Sequence, residues 1–399
     1  MRDDVPATRV PGAAPRGDEV TPAQLRERFG AWLAAERDRL PDTEVPGITY
    51  GERLEAVGAL QAILFDGGWA AIGWPTELGG TGGDALHRAV LYDELAVAGF
   101  PTRAAYEHLE ILAPAIARHW EPARLAPFLD GLLRGRELWC QGFSEPDAGS
   151  DLTSIRTRAV ADGDGYRLTG AKIWTSWVGY AKRCVVLART GSPEERHRGL
   201  SVFFVDLDQP GIDARPIVQA NGLDELGEVV FDDVWVPRDR LIGEEGAGWA
   251  IALDILSCER CAFAWLRQTR LLTCVDALAE LAAPEHTDAL GDVLVAAYAL
   301  RASSERAVRS LAAGQFLGPE AAPVKVLLSE TEQKVYDLAL RIVGPALALG
   351  DPRVADVASW QEEYLFSRIV SVYGGTRQMQ LTTIARFLLD LPTPERVRA

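Results

Sequence analysis

The spacing of apolar residues changes twice along this chain, and that order constrains the fold more than any other feature of the sequence. From about Thr21 to Leu138 they recur at helical intervals, as in Leu54, Val57, Leu60 and Leu64, with loop signals at PGITYG and WPTELGGTGG. From Trp139 to about Val236 the period shortens to that of strands: WCQGFS, TRAVA, GYRLTG, CVVLAR, LSVFFVDL and EVVFDDVWV, parted by Gly, Asp and Pro clusters. Helical spacing returns at Gly248, first with Trp249, Leu253 and Leu256 on one stripe, then through 288–313, 320–344 and 376–391. The pattern predicts a disordered lead-in over 1–20, an α-helical domain over 21–138, a β domain over 139–240 and a four-helix bundle over 241–399. That is an α+β multidomain protein. Its order of helices, strands and helices differs from the alternation of nucleotide-binding α/β enzymes, and no GxGxxG joins a strand to a helix. A Rossmann cradle therefore has no support.

Charge and residue counts exclude other classes. The 41 Lys and Arg against 57 Asp and Glu leave a net charge of −16, which repels nucleic acid. No apolar run approaches the roughly 20 residues that span a membrane. The opening MRDDVPATRVPGAAPRGDEV lacks the apolar core of a signal peptide, and five cysteines make an odd set for a disulfide framework, so a cytoplasmic location is expected. Cys258 and Cys261 form a CxxC inside a helical pattern with no second pair nearby, and read as small core residues. The five histidines never fall at HExxH or HxxxH spacing, so no metal site is expected. Chemistry then falls to a carboxylate and a bound cofactor.

Four segments, in order from about Gly67 to the chain end, resemble acyl-CoA dehydrogenases. The first is GGWAAIGWPTELGGTGGD, Gly67 to Asp84. The second is QGFSEPDAGSD, Gln141 to Asp151, followed by GAKIWTSWVG. The resemblance implies FAD, with Phe143 and Ser144 at the pyrimidine end of the ring, Trp174 and Ser176 flanking it, and Ser150 at the phosphates or the thioester carrier. Ser144 and Ser176 stand where the family usually has Thr, and both keep the hydroxyl; Trp177 reads as sheet packing.

The third segment is VYGGTRQMQ, Val372 to Gln380, where many members carry the catalytic glutamate in Tyr-Glu-Gly-Thr. Here that position is Gly374. A subgroup including isovaleryl-CoA and long-chain acyl-CoA dehydrogenases carries the glutamate on the first helix after the β domain, directly before an arginine. LSCERCAF places Glu259 and Arg260 there. Glu259 shares a helix stripe with Ile255, Leu256 and Phe263, and burial of that kind raises a carboxyl pKa toward the range of a working base. The fourth segment, RIVGP at 341–345, matches the family's Gln-containing, glycine-rich turn poorly, and the Arg-x-x-Phe-Gly expected after Arg267 is missing, although Thr376 and Gln378 match as FAD contacts.

The resemblance implies α,β-dehydrogenation of an acyl thioester, on CoA or a carrier protein. Glu259 would remove the α proton as a hydride leaves the β carbon for the flavin, and the Gly374 N–H would polarise the carbonyl. Ser150, Arg260 and Tyr373 would line the substrate. Electrons would pass to an electron-transfer flavoprotein or another acceptor, and a homodimer or homotetramer is expected, acting on a branched or bulky acyl group. Two other readings stay open: a flavin oxygenase or oxidase on the same fold, and a non-catalytic subunit of a mixed oligomer whose partner chain holds FAD.

Overall fold

Three of the first helices open on reciprocal caps, which is why the chain turns into helix where it does. Thr21 caps α1 (Pro22–Glu36) with Gln24, Thr49 caps α2 (Tyr50–Asp66) with Glu52, and Asp84 caps α3 (Ala85–Val97) with His87. α4 (Ala105–His119) and α5 (Pro122–Leu133) complete the N-terminal domain. The computed structural model describes residues 14–392 apart from 44, 46, 47, 101–104 and 351–356. The lead-in expected over 1–20 needs correction for its last residues. Ala14 donates to the Gly67 carbonyl, Gly17 donates to Thr81, and Val20 lies in the core with Leu25 and Phe29. Gly17 passes so close to Gly82 that a Cβ would sit 2.0 Å from its carbonyl oxygen, an approach open only to glycine. Residues 1–13 lie outside the described residues.

The β domain is one sheet in the order β6-β7-β3-β2-β4-β5-β8, with β1 parallel to β4. Its strands are β1 (Trp139–Gly142), β2 (Arg158–Asp162), β3 (Gly165–Ser176), β4 (Arg183–Arg189), β5 (Leu200–Asp206), β6 (Ile212–Ile217), β7 (Leu226–Pro237) and β8 (Leu241–Ile242). Strands β4 and β5 are apolar on both faces because both are covered. One face packs on α4 and α5 through Val185, Val202 and Phe204; the other closes over Tyr166, Phe203 and Phe231.

The C-terminal region starts with α6 (Gly248–Cys258), a π-helical turn at Glu259–Phe263, and α7 (Ala264–Leu281). α8 (Thr287–Ala312) and α9 (Ala322–Val343) follow, then α10 (Pro345–Leu349), α11 (Val357–Phe366) and α12 (Arg377–Thr383). The fourth helix expected over 376–391 runs from 377 to 388, α-helical through α12 and π-wound over Ile384–Leu388. The first π turn is a handover point. Ile251, Ile255 and Cys258 belong to the core shared with the β domain, whereas Cys261, Ala264, Leu271 and Val275 belong to the core of the bundle. Both cysteines of the CxxC are buried, and burial pushes their thiols up to about 11 and about 12.

Candidate active site

Two clusters carry the residues singled out from the sequence, and each is set by a local device. The first lies at the ends of β1 and β3. The Glu145 carboxylate accepts from the Arg156 N–H at 2.6 Å, the Thr157 N–H at 2.9 Å and the Lys172 ammonium at 2.7 Å. Lys172 also donates to the Phe143 carbonyl at 3.1 Å. Burial pulls Lys172 down to about 8, and burial of Glu145 is outweighed by Lys172, so its carboxyl falls below the ordinary value. This ion pair fixes QGFSEPDAGSD as a rigid turn. The Ile173 N–H then donates to the Ser144 carbonyl at 3.0 Å, holding Ser144 beside the end of β3.

A bulge between Lys172 and Thr175, with Trp174 at φ +60°, turns the Trp174 indole outward, where it is 58% exposed. The half-buried Ser144 and Ser176 hydroxyls engage no partner among the described residues. An outward indole beside two free hydroxyls fits the ring of a flavin, which needs a flat wall and donors at its polar edge. Phe143 is in the core, so only its backbone can meet a ligand. Ser150 is exposed on the turn. Trp177 is buried, donating to the Tyr50 hydroxyl at 2.5 Å and meeting the His108 ring edge-on at 4.4 Å, a packing role.

The second cluster forms where the first π turn meets the turn 371–376. A π turn widens the helix by a residue and swings Glu259 toward Gly374. Gly374 has φ +62°, and a Cβ there would lie 2.6 Å from Glu259 Oε1. The carboxylate at 259 thus occupies the space a side chain at 374 would enter. Burial pushes the Glu259 carboxyl above its ordinary value, against the pull of Lys325 and Arg260. The Gly374 carbonyl is tied back by Arg260 Nε at 3.3 Å and Gln380 Nε2 at 3.1 Å. Its N–H has no partner among the described residues. Arg260, expected at the substrate, is engaged with this turn. Tyr373 stands edge-on to Phe263 at 5.4 Å, beneath the Lys325 ammonium. Thr376 caps α12 by accepting from the Met379 N–H at 3.2 Å, and Gln378 is exposed two residues on.

The two clusters share one apolar core, which runs from Phe143 through Val202 to Ile255 and Cys258, the residue before Glu259. Sequence reasoning missed two lysines, Lys172 and Lys325. Both carried a signal: Lys172 follows the buried Tyr166 and Leu168 at alternate positions of β3, and Lys325 stands at helical spacing between the buried Ala322 and Leu328 on α9.

Comparison with known proteins identifies the class. Residues 46–136, 140–234 and 246–389 match the N-terminal, middle and C-terminal domains of acyl-CoA dehydrogenases. Acyl-CoA dehydrogenase IpdE1 of Mycobacterium tuberculosis is 36% identical over 378 residues, covering 93% of this chain and 97% of that protein. Among solved structures, the Tcur3481-Tcur3483 steroid ACAD superposes with a TM-score of 0.77 at 26% identity, covering 93% of this chain and 96% of that one. The ChsE4-ChsE5 complex from Mycobacterium tuberculosis gives 0.76 at 27% identity, covering 93% and 98%. This chain belongs to the acyl-CoA dehydrogenase family. It is accordingly a FAD-dependent acyl-CoA dehydrogenase. Among the described residues, no helix is long and apolar enough to cross a membrane.

Proposed function

We propose that Glu259 is the base that takes the α proton of the acyl thioester and that the Gly374 N–H polarises the thioester carbonyl. The observation that carries this reading is the shared space: Glu259 Oε1 lies 2.6 Å from where a side chain at 374 would begin, so one carboxylate serves a site that has room for one. The α proton is weakly acidic, and a carboxylate whose pKa is raised by burial is a stronger base than one in water. The Gly374 N–H supports the charge that gathers on the carbonyl oxygen, and its own carbonyl is held away by Arg260 and Gln380. When bound, FAD supplies the two-electron acceptor for the hydrogen leaving the β carbon. Ser144, Ser176 and Trp174 hold its ring, and Tyr373 and Ser150 line the thioester path.

The acyl group is bulky, a reading supported by the base position and by a structural relative described as a steroid ACAD. An electron-transfer flavoprotein takes the electrons onward. The poor match at Arg341–Pro345 supports a second reading of the assembly, in which a different chain completes the adenine end of FAD; the ChsE4-ChsE5 relative is a complex of two named components. Flavin content of the chain purified alone and with a co-expressed partner separates this from a homo-oligomer.

The test is anaerobic flavin reduction by straight, branched and steroid-side-chain acyl-CoA thioesters. Glu259→Gln should keep FAD and thioester binding and lose bleaching by about 10²–10⁴-fold, the range of a general base. An unchanged bleaching rate would sink the assignment.

A further inference from the structure

Lys325 has no part in the mechanism above, yet it lies in the same cluster. It projects from α9, is 3% exposed, and sets its ammonium 3.6 Å from the centre of the Tyr373 ring. Its Cε is 3.7 Å from the point where a Gly374 Cβ would stand, the same point that lies 2.6 Å from Glu259 Oε1. Lysine and glutamate therefore face each other across a single glycine. They form no ion pair within 4.0 Å among the described residues. A direct pair would quench the carboxylate as a base; a charge held one glycine away acts through the field and leaves the oxygens open.

We infer that Lys325 is a positioning residue that keeps Glu259 ionised in the resting site by its charge, delivered across Gly374 and steadied by the Tyr373 ring. The inference rests on the reading of Glu259 as the base and extends it to a second residue. Ring and ammonium attract, which anchors the lysine without consuming the carboxylate. Burial pulls Lys325 down to about 8, with Glu259 and Glu332 opposing, so it carries its proton at neutral pH.

The other ionisable groups around Glu259 are engaged elsewhere or neutral. On the π turn, Arg260 bonds the Gly374 carbonyl and the Cys261 thiol stays protonated, as does Cys258 on α6. On α4, Glu110 is held by Arg88 and Tyr92, and Arg118 by Asp254. On α9, Glu332 is held by Arg267 from α7, and Arg377 beyond the turn pairs with Glu330. Arg301 of α8 lies against Asp93. Among the described side chains, Lys325 and Arg260 are the cations acting on Glu259, and Lys325 acts the more strongly.

The test reads Glu259 directly, without turnover. The infrared carboxylic-acid stretch of the purified protein, assigned by its loss in Glu259→Gln, is followed from pH 5 to 9. In Lys325→Met its titration midpoint should rise by about one to two pH units, the size expected for one charge at such a distance. Lys325→Arg should restore it to within about half a unit. If Lys325→Met does not fold, Lys325→Gln carries the same expectation. The acid limb of flavin reduction, measured with the thioester that bleaches wild type fastest, should move by the same amount. An unmoved midpoint overturns the role of Lys325, whereas a limb that stays put while the midpoint moves counts against Glu259 as the base. A wild-type bleaching rate in Glu259→Gln overturns the base assignment instead, so the two failures are distinct.

Discussion

Two groups of buried charges sit a few helical turns apart in the same bundle, and they are built in opposite ways. Around Arg267 every charge is matched: its guanidinium meets Glu332 and Glu363, each at 2.6 Å, Arg270 adds a contact to Glu363 at 3.1 Å, and the Tyr336 hydroxyl donates to Glu363 at 3.3 Å. Around Glu259 the carboxylate has the cations Lys325 and Arg260 near it and, among the described residues, none in direct contact. A saturated network locks helices together, because removing one member leaves an uncompensated buried charge. An unsaturated one keeps a titratable group available, at some cost to stability. The difference is one of geometry: one cluster is saturated with direct contacts and the other is not.

The sharpest way to break that contrast is to remove the central charge of each group. Glu259→Gln should lower flavin reduction by about 10²–10⁴-fold while thermal unfolding stays near wild type. Arg267→Met should do the reverse, costing about 3–5 kcal/mol of stability in denaturant unfolding and leaving the bleaching rate per folded, flavin-loaded protein unchanged. If both variants lose the same property, the two clusters are one system and the contrast fails. Gly374→Ala probes the space between Lys325 and Glu259. Its methyl would meet Glu259 Oε1 at a φ of +62°, so about 1–3 kcal/mol of stability and on the order of tenfold in bleaching should be lost together.

The smallest effect is one of pH. Folding raises the Glu259 pKa, so below its ordinary value of 4.5 both states hold the proton and the site does not disfavour folding. As pH rises from there toward the folded value, the unfolded chain gives up its proton first and stability falls. Above the folded value the loss is complete. Glu259→Gln removes this term, so the stability of wild type relative to the variant should decline as pH rises through that window. A difference independent of pH would show that the carboxyl is not perturbed on folding.

Much of this architecture is legible in the sequence, for a reason particular to the chain. The change of apolar period at Trp139 and at Gly248 coincides with real changes of structure, since β1 begins at Trp139 and α6 at Gly248. Strand β6 escaped because it reads IDARPI, an edge strand with little burial and a proline, and therefore without alternation. The docking of residues 14–20 escaped because it depends on one glycine meeting another far along the chain. The helix stripe and the glycine at 374 single out Glu259 in the sequence, and the fold brings the two positions together. Lys325 is harder to read, since a lysine on an apolar helix face looks like a solvated end until the turn from 371 to 376 closes over it.

The π turn has a consequence for how this protein can change. An α-helix advances about 100° per residue, and a π turn takes up one extra residue in a single wider turn, so the residues on either side keep their own phases. Residues up to Cys258 are phased to face the sheet and α4, and residues from Cys261 are phased to face the bundle. Deleting one residue between 259 and 263 would let the segment close to a regular α-helix, so the faces on either side keep their neighbours while Glu259 loses the wide turn it stands on. The extra residue is therefore a local feature set between two cores. Glu259, the proposed base, stands on the turn of this helix that can change in length with the least disturbance to either core.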